Sequence, residues 1–243
     1  WYRDMLIKFD HLFVQDEKSV QLLREAGINR CSVAGDTRID RVVAIAGDAK
    51  NIPLIEKFKG KSLLIVGGST WKPDEDLLSK YINSSKDVKI IFAPHEVSET
   101  NIKRLQKIIE VPSVRFSKSD IKDIANYKVL IIDSIGLLSS IYKYGSVAYI
   151  GGGFGVGIHN ILEPAVFGLP VIFGPNHEKF KEATDLKALK GAYPVNNFRQ
   201  LENVLNMFLN NLSALLTASD ICRSYILKNI GAANIIINKV FNN

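Results

Sequence analysis

Glycine and polar residues able to bind a ligand follow five short apolar runs of the sequence. The runs are 63–66, 88–92, 129–132, 147–150 and 170–173. Their apolar residues are continuous rather than alternating, which is typical of strands covered on both faces of a sheet. Carboxyl ends of parallel strands meet at one edge, where backbone N–H groups point outward. The sequence therefore predicts a ligand crevice formed by the residues after each run, namely 67–70, 94–96, 133–136, 151–160 and 174–177.

The glycine-rich stretch 151–157 reads GGGFGVG. It does not fit the dinucleotide fingerprint G-x-G-x-x-G, and it lacks the Gly-Lys-Ser/Thr ending of a phosphate-binding P-loop. Glycines at a strand end let the backbone approach a ligand and donate N–H groups. We therefore expect Gly153, Gly155 and Gly157 to support a bound ligand. The competing interpretation is a flexible connection between a strand and a helix.

The next segment, His159 to Pro164, allows two interpretations. In the first, Asn160 is the N-cap of a helix and Glu163 is its reciprocal capping partner three residues on. In the second, Pro164 begins the helix, because proline at the fourth helical position would clash with the Asn160 carbonyl. Glu163 would then be available to accept hydrogen bonds from a ribose diol. The sequence leaves both interpretations open.

His95 and His159 fall within the predicted crevice, and His177 lies one loop further on. No pair of histidines has the spacing of a metal site on a helix, so we expect no metal. Ser69 and Ser134 also lie at strand ends, but neither has the context of a nucleophile elbow, which argues against a serine hydrolase. We therefore assign these residues to ligand support.

Strand-like runs alternate with segments of helical periodicity along most of the chain. This alternation predicts βαβ units and an α/β fold with a doubly wound parallel sheet. The clearest helical stripe runs from Leu201 to Leu215. The first forty-five residues differ: two short strands at 12–15 and 32–34 surround a helix at 17–26, another helix starts at 35–37, and 46–53 resembles a linker.

Composition excludes several classes of protein. The chain has 243 residues, 47% hydrophobic and 23% charged, with a net charge of +6 that forms no basic block of the kind that follows a nucleic-acid backbone. Cys31 and Cys222 stand alone and form no disulfide framework. No apolar run approaches the ~20 residues of a membrane helix. The chain begins with Trp1 rather than Met, which suggests part of a longer protein.

Several of these segments together resemble the C-terminal half of the Kdo transferases, which move 3-deoxy-D-manno-oct-2-ulosonic acid (Kdo) from CMP-Kdo to a lipid A precursor. The resemblance extends from about residue 10 to 195. The segments are Phe13–Glu17, Gly35–Asp40, Asp133–Gly136, the glycine loop 151–157, His159–Ala165 and Gly168–Pro175.

The resemblance implies a GT-B fold, in which a second Rossmann-like domain holds most of the donor. Residues 1–45 would be the end of the N-terminal acceptor domain and the junction, and 46–243 the donor-binding domain with C-terminal helices. It also implies nucleotide contacts at three places: Pro94 and His95; Ile135, Gly136 and Leu137; and Asn160, Ile161, Leu162 and Glu163. Many members have Pro-Arg-His at 93–95 and Met-Gly-Glu at 135–137, so this sequence lacks one basic and one acidic group there.

The family's catalytic base is a glutamate of the N-terminal domain, so no catalytic residue is expected in this chain. The implied reaction needs neither a metal nor a cofactor. The implied partners are CMP-Kdo and, through the other domain, the lipid A precursor at the cytoplasmic face of a bacterial inner membrane. We expect the chain by itself to be soluble and inactive, and to contact no nucleic acid. The alternatives are a GT-B enzyme or epimerase that uses a uridine donor, and a non-catalytic nucleotide-binding module.

Overall fold

The computed structural model describes residues 1–241, which form two compact units. One unit contains residues 1–44 together with residues 225–241, and the other is Ile45–Ser224. Residues 225–241 thus group with the N-terminal residues rather than with the residues that precede them. The assignment of 1–45 to an acceptor domain and 46–243 to a donor domain stays a prediction, because compactness alone gives no unit a function.

The smaller unit is built on two parallel strands, β1 (Leu12–Val14) and β2 (Cys31–Val33). The Asp16 side chain accepts a hydrogen bond from the Ser19 N–H at 2.8 Å and so caps the helix between them. Asp40 accepts hydrogen bonds from the N–H groups of Gly231 and Ala233 at the start of the last helix. Helices of this unit are α1 (Tyr2–Leu6), α2 (Glu17–Glu25), α3 (Thr37–Gly47, which extends beyond it) and α12 (Ala232–Phe241).

The larger unit contains a seven-stranded sheet in which every neighbouring pair is parallel. Its spatial order is β5-β6-β4-β3-β7-β8-β9. If the edge strand β5 is left out and the other six strands are renumbered along the chain, their order is 3-2-1-4-5-6, which is the order of the dinucleotide-binding fold. In that fold the ligand crevice lies where the strand order reverses, here between β3 and β7. The strands are β3 (Leu63–Thr70), β4 (Val88–Pro94), β5 (Ser113–Arg115), β6 (Val129–Ile131), β7 (Val147–Ile150), β8 (Val171–Phe173) and β9 (Ala192–Pro194).

Helices flank this sheet, and the central strands have their side chains buried on both faces, as the continuous apolar runs predicted. None of the described helices is long and apolar enough to cross a membrane. The remaining helices are α4 (Pro53–Lys59), α5 (Lys72–Ser84), α6 (Glu99–Ile108), α7 (Leu138–Ile141), α8 (Leu162–Val166), α9 (Lys181–Leu189), α10 (Phe198–Asn210) and α11 (Leu212–Asn229).

The five predicted strands of the sheet are confirmed, and so is the doubly wound α/β class. The strands β5 and β9 were missed, since each has only three residues and sits at an edge of the sheet. The continuous helix predicted from Leu201 to Leu215 was wrong. It breaks at Asn211, whose backbone leaves the helical region and whose Oδ1 accepts a hydrogen bond from the Ala214 N–H, so that α11 starts anew.

Candidate functional site

The predicted crevice residues lie at the carboxyl ends of β6, β4, β3, β7 and β8, which are consecutive in the sheet. The glycine loop that follows β7 packs backbone to backbone against its neighbours. A Cβ on Gly153 would lie 2.6 Å from the Gly174 nitrogen, and one on Gly151 would collide with the Ser69 carbonyl. Ser69 itself has a positive φ of 50°. Only glycine fits at 151 and 153, because a side chain there would separate the loops.

Asn176, in the loop after β8, ties that loop to the glycine loop. Its N–H donates to the Gly153 carbonyl at 2.9 Å, and its side-chain amide donates to the Gly155 carbonyl at 2.6 Å. The two carbonyls are thereby turned toward Asn176. The glycine loop is therefore held in place rather than being the flexible connection that the sequence left open.

A buried carboxylate, Asp74, fastens the other side of the glycine loop. It is 0% exposed and accepts three hydrogen bonds: from the N–H groups of Trp71 and Gly152 at 2.9 and 3.1 Å, and from the Tyr149 hydroxyl at 2.8 Å. Burial raises the pKa of the Asp74 carboxyl, and the three donors oppose that shift. Asp74 thus joins α5, β7 and the glycine loop at one point.

Three aromatic rings stack beside this carboxylate. The His95 ring lies 4.4 Å from the Trp71 ring and 4.6 Å from the His159 ring, both nearly parallel. The Trp71 indole N–H donates to Nε2 of His159 at 3.1 Å, so the neutral His159 ring has its proton on Nδ1. Burial and the neighbouring His95 lower the pKa of His159, which favours that neutral form, although Asp74 opposes the shift.

These rings border a cavity of about 640 Å³, which we call the Trp71 cavity. Its wall is mostly apolar, and the only titratable side chains among its lining residues belong to Asp74, His95 and His159. The lining residues are Trp71, Pro73, Asp74, His95, Gly152, Phe154, Gly155, Val156, Gly157, Ile158, His159 and Phe180.

Asn160 and Glu163 contact each other in a way that neither sequence interpretation describes. The Asn160 amide donates to Glu163 Oε1 at 3.2 Å, and its Oδ1 accepts from the Leu162 N–H at 3.0 Å. Helix α8 begins at Leu162 with Ile161 as N-cap, so Pro164 is its third residue. Proline is tolerated there because the first four N–H groups of a helix have no intrahelical partner. Asn160 therefore both accepts a hydrogen bond from the first N–H of α8 and orients the Glu163 carboxylate.

Residues that follow β6 in the sequence pack against Gly68, near the carboxyl end of β3. A Cβ on Gly68 would lie 3.3 Å from Leu138 and 3.0 Å from the Tyr142 ring. Tyr142 is fully buried, and burial together with the Glu163 carboxylate raises the pKa of its hydroxyl. Gly68 and Tyr142 thus connect the region of Glu163 with the helix that follows Leu137.

The structure brings together much of the predicted set. His95, His159, Gly155 and Gly157 line the Trp71 cavity, and Asn160 contacts Glu163. Pro94, Ile161 and Leu162 are buried, so none of them presents a side chain to a ligand. Gly153 is buried where the glycine loop packs against Gly174, and Ser69 is half-buried. In the segment after β6, Ser134, Ile135 and Gly136 are exposed and Leu137 is half-buried.

Sequence reasoning missed Trp71 and Asp74, the two residues that most shape the cavity. Trp71 directly follows the first strand of the sheet and Asp74 lies three residues further on, which was a usable signal, but the crevice prediction ended at Thr70. Phe154 was inside the glycine loop, yet only its glycines were singled out. Phe180 lies far from the loop in sequence, and nothing in its neighbourhood indicated that it would line a site. Among the described residues, no group of three metal-ligating side chains is present.

The fold matches the C-terminal domains of GT-B glycosyltransferases. The C-terminal CMP-Kdo binding domain of WaaA from Acinetobacter baumannii aligns with a TM-score of 0.62 and 21% identity, covering 77% of this chain and 98% of that domain. Anabaena HepE in complex with UDP-glucose aligns with a TM-score of 0.56 and 13% identity, covering 93% of this chain and 61% of that one. At these identities the likeness shows the fold alone.

The sequence is homologous to the 3-deoxy-D-manno-octulosonic acid transferases. It is 28% identical to that of Rickettsia prowazekii over 218 residues, 87% of this chain and 47% of that protein. It is 27% identical to that of Aquifex aeolicus over 210 residues, 84% of this chain and 55% of that protein. The chain spans about half the length of these curated relatives. No family model matches it.

Proposed function

We propose that this chain binds CMP-Kdo and forms the donor-binding half of an enzyme that transfers Kdo to a lipid A precursor in lipopolysaccharide biosynthesis. One observation supports the proposal above all. The three segments that the resemblance assigns to the nucleotide lie at the carboxyl ends of β4, β6 and β7. These are three of the four neighbouring strands β6-β4-β3-β7, which include the point where the strand order of the doubly wound sheet reverses. A nucleotide lying across this edge would reach all three.

These segments and the glycine loop offer three kinds of contact. The backbone of Ile135 to Leu137 presents N–H and C=O groups suited to a base edge, whereas Pro94 has no N–H to donate. Glu163, oriented by Asn160, offers a carboxylate that accepts hydrogen bonds from the ribose hydroxyls. The fixed glycine loop offers backbone N–H groups to the phosphate. The missing basic and acidic groups at 94 and 137 make these backbone contacts the more important ones.

In the proposed reaction an acceptor hydroxyl oxygen bonds to the anomeric carbon of Kdo while the bond from that carbon to the CMP phosphate breaks. A general base takes the hydroxyl proton, and we propose that it belongs to the part of the enzyme that this chain does not span. The residues described above bind CMP and stabilise the charge that develops on its departing phosphate.

The proposal is tested by calorimetric titration of the chain with CMP, UMP and UDP. We expect CMP to bind more tightly than either uridine nucleotide. Tighter binding of UMP or UDP would favour the uridine-dependent alternative, and the absence of saturable binding by any nucleotide at millimolar concentration would contradict the assignment. The reaction itself is tested in the complete enzyme.

We further propose that the membrane is contacted by the remainder of the enzyme, at the cytoplasmic face of the bacterial inner membrane where the acceptor is embedded. The charge of +6 is spread along this chain rather than gathered into a patch. We expect only weak, salt-sensitive co-sedimentation with anionic phosphatidylglycerol vesicles. Strong pelleting that resists physiological salt would place the membrane contact in this chain instead.

A further inference from the structure

The Trp71 cavity is larger and more apolar than backbone contacts to a nucleotide require. Its volume of about 640 Å³ lies within the range of about 300–1,000 Å³ that is typical of small-molecule sites. It shares His95 and His159 with the proposed donor site, so the cavity is continuous with the place where the nucleotide would lie. It therefore has room for a second chemical group of the same ligand.

Aromatic rings provide one wall of the cavity. Trp71 remains 42% exposed although it stacks on His95, and Phe154 and Phe180 also line the space. The faces of such rings are electron-rich and attract the polarised C–H bonds of a sugar ring. A flat, partly exposed indole beside a small-molecule cavity is suited to packing against a pyranose.

Two imidazole side chains provide the polar part of the cavity wall. Since the Trp71 indole N–H occupies Nε2 of His159, the Nδ1–H of His159 is a donor with a fixed position. His95 adds a second imidazole to the lining. Asp74 does not compete with a ligand for these donors, because it is 0% exposed and its oxygens already accept three other hydrogen bonds. Donors without an accessible carboxylate favour an acidic group on the ligand.

We propose that the Trp71 cavity binds the sugar acid of the donor, with the pyranose ring against Trp71 and the carboxylate accepting hydrogen bonds from His159 and His95. The proposal rests on the proposed function, since it assigns the sugar portion of the same donor. It makes Trp71 a determinant of sugar specificity, separate from the residues that bind CMP.

The test is saturation-transfer NMR on the chain with free Kdo, with and without saturating CMP. We expect transfer to the ring protons of Kdo that persists with CMP present, and weaker binding of its methyl ester, which has the same ring but no charge. Trp71→Ala should weaken Kdo binding about tenfold while the affinity for CMP changes less than twofold. Trp1→Ala, at an exposed tryptophan of the other compact unit, is the matched control.

A second pair of variants separates the ring contact from the acid contact. His159→Phe and His95→Phe retain a flat ring but remove the N–H donors, so the preference for the acid over its ester should fall about tenfold. Equal binding of acid and ester by the unaltered chain, or displacement of Kdo by octanoate at similar concentration, would show an apolar pocket for an acyl chain and overturn the proposal. Competition between CMP and Kdo for binding would also overturn the proposal about the sugar. Failure of CMP to bind the chain would instead contradict the proposed function.

Discussion

The two sides of the proposed donor site are built in opposite ways. On one side, the glycine loop 151–157 is packed against the backbone of Ser69 and Gly174 and fastened by Asp74 and Asn176. On the other side, Ile135 is 91% exposed, and nothing lies within 4 Å of where a Cβ of Gly136 would be. The first side is fixed by contacts within the protein, whereas Ile135 and Gly136 on the second side make few such contacts. Substitutions on the two sides should therefore fail for different reasons.

The largest effect is expected at Gly153. The φ of Gly153 is not positive, so alanine would meet no backbone strain there. Its Cβ would lie 2.6 Å from the backbone of Gly174, however, and that backbone cannot move without separating two loops. We expect Gly153→Ala to lower the free energy of unfolding by about 3–5 kcal/mol in urea titrations. Gly155→Ala is the matched control, since its nearest contact is 3.5 Å and the change should stay within about 0.5 kcal/mol. Equal losses of unfolding free energy in Gly153→Ala and Gly155→Ala would show that the whole loop is sensitive to substitution, and not only the point where it packs against Gly174.

Asp74→Ala should have the next largest effect. It leaves the Gly152 N–H and the Tyr149 hydroxyl buried without an acceptor, so we expect a loss of about 2–3 kcal/mol in unfolding free energy. The freed glycine loop should also weaken binding of CMP. Asp76→Ala removes an exposed carboxylate from the same helix, and it should change stability by less than about 0.5 kcal/mol. If Asp74→Ala proves as stable as Asp76→Ala, the loop is held without this anchor.

Glu163→Gln should leave stability nearly unchanged, because a glutamine oxygen can still accept the Asn160 amide hydrogen bond. If the carboxylate holds the ribose, CMP binding should weaken by about 1–3 kcal/mol in calorimetry. Glu56→Gln, at an exposed position of α4, is the control for the loss of one charge. Lower stability with unchanged affinity would assign Glu163 a structural role.

A smaller loss of stability than at Gly153 is expected at Gly136, on the open side. Its φ of +89° disfavours alanine, but no atom obstructs the new methyl group, so Gly136→Ala should cost about 1–2 kcal/mol through backbone strain alone. The affinity for CMP should fall as well if the backbone of this segment contacts the base. A loss as large as that of Gly153→Ala in urea titrations would mean that the two sides of the site are equally rigid.

Much of the fold could be predicted because strands that are buried in a sheet need apolar residues, and such residues can be recognised in the sequence. Strands covered on both faces must be apolar throughout, and all five central runs were recognisable for that reason. The edge strands β5 and β9 were not, since three residues give no pattern. The break at Asn211 also escaped prediction, because the apolar stripe continues across it while the polar side chain of Asn211 turns back to cap the next helix.

The sequence by itself determined the α/β class, the row of glycine and polar residues at the strand ends, and the kinship with Kdo transferases, since all of these depend on residue type and order along the chain. Only the tertiary structure decided that Trp71, His95 and His159 stack, that Asp74 fastens the glycine loop, and that Asn160 orients Glu163. Stacking and buried hydrogen bonds depend on which strand ends become neighbours. Strand order joins residues that are up to 88 positions apart, such as Trp71 and His159, and no local pattern records it.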